Sequence, residues 1–169
     1  MLDAGANARI YDLPDLDSYS HPGCDFGEYS HVVCQNEIPF ASTLKTLQAA
    51  KSDGATTIFN PSPMLTPAEA RRMDWVCVDY LVLNEGEAAA MLKVMDDEYR
   101  SEDHADESQV PSTLDGIARF RQIGLKNATV IVTKGSEGAD VLFGDEIIHF
   151  SLQLPIFATD TTGAGDCFM

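Results

Sequence analysis

The residues best suited to chemistry lie near the end of the sequence, in Asp160-Thr161-Thr162-Gly163-Ala164-Gly165-Asp166. Two glycines around one alanine let backbone turn sharply and approach a ligand closely. If a helix starts here, the free N–H groups of Gly163, Ala164, Gly165 and Asp166 point outward with partial positive charge and form an anion site. Asp166 stays ionised among those donors, where it could accept a hydroxyl proton beside a bound phosphoryl group. An ordinary glycine-rich turn capped by aspartate fits the same string.

Two further groups are candidates. Asn84 and Glu87 are three residues apart after an apolar run, so they share a face if a helix begins there. An amide and a carboxylate at a strand end could hold Mg²⁺ through water, and acids in a first helical turn are also common for purely local reasons. Thr133-Lys134-Gly135-Ser136-Glu137-Gly138 offers a hydroxyl, backbone N–H groups and conformational freedom, as a nucleotide-binding loop would. It does not match the Walker pattern, and a plain strand-to-hairpin turn accounts for it equally.

The elements that must position these groups alternate. His31–Gln35 reads as a short buried strand, and Phe40, Leu44 and Leu47 recur at helical spacing up to a stop near Asp53-Gly54. Thr56–Phe59 is the next strand, cut off by Asn60-Pro61-Ser62-Pro63. Thr66-Pro67-Ala68-Glu69 is a capping box with proline at the first helical position. Tyr80–Leu83 predicts a strand ending at Asn84, with strong helix formers over Glu87–Val94. Ser112 can cap a helix running to about Ile123, with Gly124 as its stop. Ala128–Thr133 is β-branched and apolar, as for a strand covered on both faces. Ala139–Phe143 and Glu146–Phe150 flank Gly144-Asp145, which suits a type II′ hairpin.

This pattern predicts an α/β domain with a mainly parallel sheet. Ligands of such sheets bind beyond the carboxyl ends of the strands. The residues to inspect are therefore Gln35 to Glu37, Asn60, Asn84 to Glu87, Thr133 to Gly138 and Asp160 to Asp166.

Composition narrows the class. The chain has 169 residues, a net charge of −16 and 44% hydrophobic residues, enough for one domain with a real core. The acidic balance argues against nucleic acid as a partner, and no apolar run approaches a membrane span. No signal peptide is readable near the N-terminus. Met95 to Gln109 holds seven acids and one arginine, so a solvated acidic loop insertion is expected over about 95–111. It lacks the spacing and central glycine of a calcium loop. Cys24, Cys34, Cys77 and Cys167 form no C-x-x-C pair and the four histidines are scattered, so no zinc site is visible. Reduced thiols in a cytoplasmic protein are expected.

Taken in order, the motifs resemble those of the ribokinase-like (PfkB) family of carbohydrate kinases. Asp160 to Asp166 is similar to that family's C-terminal signature. Asn84-x-x-Glu87 is similar to its magnesium and phosphate motif, and Val132-Thr133-x-Gly135-Ser136-x-Gly138 to its ATP-contacting loop. Gly5-Ala6-Asn7-Ala8, Gln35-x-Glu37 and Asn60-Pro61-Ser62-Pro63 resemble upstream segments. The resemblance implies a three-layer α/β/α fold and an ATP-dependent kinase of ribose or a related sugar. Asp166 would be the catalytic base, with the amides of Gly163 to Asp166 stabilising the transferring group. Glu37 would contact the sugar, with Asp166. Asn84, Gly165 and Thr133, Lys134, Gly135, Ser136, Glu137 and Gly138 would meet ATP. Glu87 would organise Mg²⁺ through water, and Asp160 with Thr162 would contribute to a site for K⁺ or another monovalent cation. Lys134 departs from the leucine common at its position.

The family's early Asp, Gly-Gly motif and β-sheet lid have no counterpart before Gly5, and the segments that close the adenine pocket have none after Asp166. The chain therefore reads as a partial kinase domain over 1–169, incomplete at both ends, with no measurable turnover expected of it alone. A homodimer formed through the lid would belong to the intact protein. A non-catalytic remnant that binds nucleotide or protein, and another sugar or nucleoside kinase of the family, are the alternative readings.

Overall fold

A computed structural model of the chain describes residues 26–99, 113–122, 124–152 and 168. Among these residues six strands and four α-helices follow one another as β1 (His31–Gln35), α1 (Phe40–Ser52), β2 (Thr56–Asn60), α2 (Pro67–Arg72), β3 (Tyr80–Asn84), α3 (Glu85–Tyr99), α4 (Thr113–Gln122), β4 (Thr129–Thr133), β5 (Ala139–Phe143) and β6 (Glu146–Phe150). The sheet order equals the chain order. β1 to β4 are parallel, and β5 and β6 add an antiparallel hairpin at one side. The mainly parallel α/β architecture read from the sequence holds.

Local chemistry explains the helices. In α1 the buried residues Phe40, Thr43, Leu47 and Ala50 recur at intervals of three and four, which makes one apolar stripe. The helix stops at Asp53, whose N–H still donates to Ala49 O at 2.9 Å. α2 begins with the predicted capping box: Thr66 Oγ1 accepts from Glu69 N–H at 3.3 Å, and Thr66 N–H donates to Glu69 Oε2 at 2.9 Å. Arg121, in the last turn of α4, donates to the carbonyls of Leu125, Ala128, Leu142 and Gly144. One guanidinium thus fastens the helix end to the start of β4 and to the hairpin.

The register sorts the sheet into two faces, because side chains alternate along each strand. Phe59, Leu81, Leu83, Val130, Val132 and Leu142 share one face and are buried with Leu47 of α1, Met91 of α3 and Ile117 and Phe120 of α4. Right-handed crossovers between strands laid down in chain order place all the connecting helices on one face. The other face carries Val33, Ile58, Val82, Ile131, Val141 and Ile148 in cross-strand rows. A sheet apolar on both faces is the kind that takes a cover on each side.

One helix end differs from expectation. α3 runs to Tyr99, a turn beyond Val94 and into the acidic stretch. Met95 packs against the core, and a helix already nucleated extends by one hydrogen bond per residue at little cost. Residues 100–112, the rest of the expected acidic loop, lie outside the described residues. So does Ser112, the expected cap of α4.

Candidate active site

A cleft of about 180 Å³ opens at the carboxyl ends of the parallel strands. Glu37 enters it from the β1–α1 loop, Asn60 and Ser62 from the end of β2, Asn84 and Glu87 from the β3–α3 junction, and Thr133 from the end of β4. Phe168 also lines it. Four strand ends converge here because parallel strands all release their chains at the same edge. A larger depression of about 360 Å³ lies at the opposite, amino edge, lined by Lys51, Thr56, Asp79, Tyr80, Asn127 and Thr129. There Asp79 already accepts from Lys51 and from the N–H and hydroxyl of Thr57, so its charge is used within the fold. Burial opposes its ionisation, but the Lys51 ammonium and these donors outweigh it and hold its carboxyl below the usual range.

Side chains brace the cleft. Asn60 Nδ2 donates to Val82 O at 2.8 Å, and so continues the junction of β2 and β3 past their last ladder pair. Thr133 Oγ1 donates to Leu83 O at 3.3 Å and adds a side-chain bond at the last ladder pair of β3 and β4, Asn84 with Thr133. Asn36 fixes the loop carrying Glu37: its N–H donates to Ser62 O at 3.1 Å and its Nδ2 to Pro63 O at 2.8 Å.

Asn84 and Glu87 form a reciprocal cap at the start of α3. Glu87 N–H donates to Asn84 Oδ1 at 2.8 Å, and Asn84 N–H donates to Glu87 Oε2 at 2.9 Å. Both sequence readings of this pair are therefore compatible, since the capping residues also line the cleft. A carboxylate offers about four lone-pair sites, and the Asn84 N–H takes one of them. Hard oxygen remains for a water-bound Mg²⁺.

The loop after β4 is a single 3₁₀ turn over Gly135–Glu137. Lys134 N–H donates to Gly138 O at 2.8 Å, and Gly138 N–H to Gly135 O at 3.2 Å. Gly138 has φ 99, and a Cβ there would lie 1.9 Å from Phe150 O, so only glycine lets the loop close against β6. Lys134 turns inward, with only 14% of its side chain exposed, to 3.4 Å from Asp140 Oδ2 and 3.7 Å from Glu137 Oε2.

The structure thus brings Glu37, Asn84, Glu87 and Thr133 together, and sets Lys134 to Gly138 at the adjoining strand end. Asp160, Thr162, Gly163, Ala164, Gly165 and Asp166 lie outside the described residues. Gln35 and Asn60, expected at the strand ends, line the cleft as well, together with Ser62 from the Asn60–Pro63 string. The site reading missed Asp140 and His149, whose Nδ1 is 2.6 Å from Asp140 Oδ1. Hairpin arithmetic could have found them, because a two-residue loop pairing Phe143 with Glu146 forces Asp140 opposite His149. Burial raises the thiols of Cys34 and Cys77 to about 11, Asp74 adding to the shift at Cys77, so both are poor nucleophiles at neutral pH. Among the described residues no cluster of His, Cys, Asp and Glu could hold a metal alone, and no helix is long and apolar enough to cross a membrane.

Residues 14–169 match the pfkB family carbohydrate kinase profile. The chain belongs to this family. It is 30% identical over 142 residues to the ribokinase of Schizosaccharomyces pombe, covering 82% of this chain and 39% of that protein. The ribokinase of Cryptococcus neoformans, solved with ADP, superposes with a TM-score of 0.72 at 35% identity, over 87% of this chain and 48% of that one. The Thermotoga maritima ribokinase gives a TM-score of 0.64 at 29% identity, over 97% of this chain and 46% of that one. The pfkB-family chain described here therefore spans less than half the length of these relatives.

Proposed function

We propose that the chain carries the phosphoryl-transfer end of an ATP-dependent kinase acting on a hydroxyl of ribose. The observation that carries the reading is the cleft itself, where Glu37, Asn84, Glu87 and Thr133 meet Phe168, two residues beyond Asp166. Asp166 would take the proton from the attacking hydroxyl, and the amides of Gly163 to Asp166 would stabilise charge on the transferring group. Glu37 would orient the sugar by accepting hydrogen bonds from its hydroxyls. Thr133 to Gly138 would receive the nucleotide. Phosphoryl transfer asks mainly for such positioning and electrostatic help.

The donor set at Asn84 and Glu87 fits Mg²⁺ held through water, and the bound ion would neutralise charge on phosphate oxygens. Asp160 and Thr162 would supply oxygens to K⁺ or another monovalent cation. ADP in the Cryptococcus relative supports the nucleotide, and the ribokinase relatives support ribose. The test uses a chain extended at both ends to the length of its relatives, assayed with ATP, Mg²⁺, K⁺ and ribose. Turnover is expected, and Asp166→Asn should lower kcat by orders of magnitude. An unchanged kcat in that variant would reject the base assignment.

A further inference from the structure

Lys134 and Asp140 stand apart from the rest of the site. Asp140 is only 1% exposed, and Lys134 reaches down to it from the head of the loop. The other Asp140 oxygen meets His149 across the β5–β6 ladder at 2.6 Å. Asp140 Oδ2 has no hydrogen bond of good geometry, so the Lys134 ammonium at 3.4 Å is the charge that balances it. A buried carboxylate without a counter-charge is costly, which ties the position of Lys134 to that of Asp140. The Lys134 main chain in turn closes the loop, through Lys134 N–H to Gly138 O and Glu137 N–H to Lys134 O at 3.0 Å. On its far side the loop abuts Phe150 O at Gly138. One anchor is steric and the other electrostatic, and the turn from Gly135 to Glu137 is held between them.

We propose that Asp140 is a positioning residue for nucleotide binding: through its ion pair with Lys134 it holds the Thr133–Gly138 backbone in the shape that receives the nucleotide. The inference rests on the reading of that loop as the nucleotide loop. The Lys134 side chain serves the fold beneath the loop, and the loop backbone serves the ligand.

The pair makes the test specific. Breaking a buried ion pair by removing one partner leaves an uncompensated charge, whereas replacing both by apolar residues is often close to neutral. The variants are therefore Asp140→Leu, Lys134→Leu and the double variant, each titrated calorimetrically with MgADP well below its melting temperature. Each single change should weaken MgADP binding by about tenfold or more, and the double change should recover most of the loss. Amide hydrogen exchange at Gly135 to Gly138 without nucleotide should quicken in the singles and slow again in the double. If the singles lower only the melting temperature, leaving affinity and exchange as in the parent, the positioning role is wrong. A loss that the double fails to recover contradicts it too. If the parent binds no MgADP, the nucleotide-loop reading falls and the proposal with it; parent binding with unaffected variants overturns the proposal alone.

Discussion

Replacing Gly138 by alanine should do more damage than its size suggests, and Gly144 provides the control. Both glycines have positive φ, 99 and 56 respectively, so an added Cβ is strained at either site. At Gly144 nothing lies within 4 Å of the new atom. Gly144→Ala should therefore lose only the left-handed penalty, about 1–2 kcal/mol. At Gly138 the new Cβ would sit 1.9 Å from Phe150 O and 2.9 Å from Phe150 C. These are backbone atoms of a paired strand, and no rotamer change relieves the overlap. Backbone strain of about 1–3 kcal/mol and overpacking of a similar size add, so a loss of roughly 3–5 kcal/mol is expected. Urea unfolding of both variants gives the comparison, read as a difference in midpoint at constant slope. MgADP affinity should fall in Gly138→Ala and hold in Gly144→Ala, because only the first displaces the loop from β6. If the two variants unfold within about 1 kcal/mol of each other, the close approach of loop and strand is not what fixes this glycine.

Two other outcomes follow from the site and its supports. Glu87→Gln keeps an oxygen to accept the Asn84 N–H, so stability should change by less than about 0.5 kcal/mol. The Mg²⁺ needed for nucleotide binding should rise by about tenfold or more, and an unchanged requirement would remove Glu87 from the metal's surroundings. Asp79 has its folded pKa below the unfolded value, so its contribution is present above the unfolded pKa and lost as pH falls through the folded one. Asp79→Asn should flatten the fall of stability with acid below about pH 4, read as unfolding midpoints across pH. An equal acid slope in both proteins would contradict the Lys51–Asp79 assignment.

Much of the frame was legible because it rests on local chemistry. The Thr66–Glu69 capping box and the hairpin around Gly144-Asp145 each declare themselves within a few residues; His31–Gln35 is a strand as expected, but none of its residues is buried, because it lies at the end of the sheet order with β2 as its neighbour. The cleft followed from one general property of parallel sheets, that chains leave every strand at the same edge. What stayed hidden depends on contacts between elements. Asn60 reaching Val82 and Lys134 reaching Asp140 need the register of neighbouring strands. The extra turn of α3 needed the core contact of Met95, against a composition that favours solvated chain. Phe168 reaches the cleft wall from a part of the sequence that reads only as a continuation of the signature helix.

The central claim is that the carboxyl edge of the sheet is where this pfkB-family chain meets its nucleotide. Amide hydrogen exchange with and without MgADP tests it most directly. Protection is expected over Thr133 to Gly138 and at Glu85 to Glu87, on either side of the 180 Å³ cleft. Protection confined to the amino edge, at Lys51 to Thr56 and Asp79 to Tyr80, would contradict it.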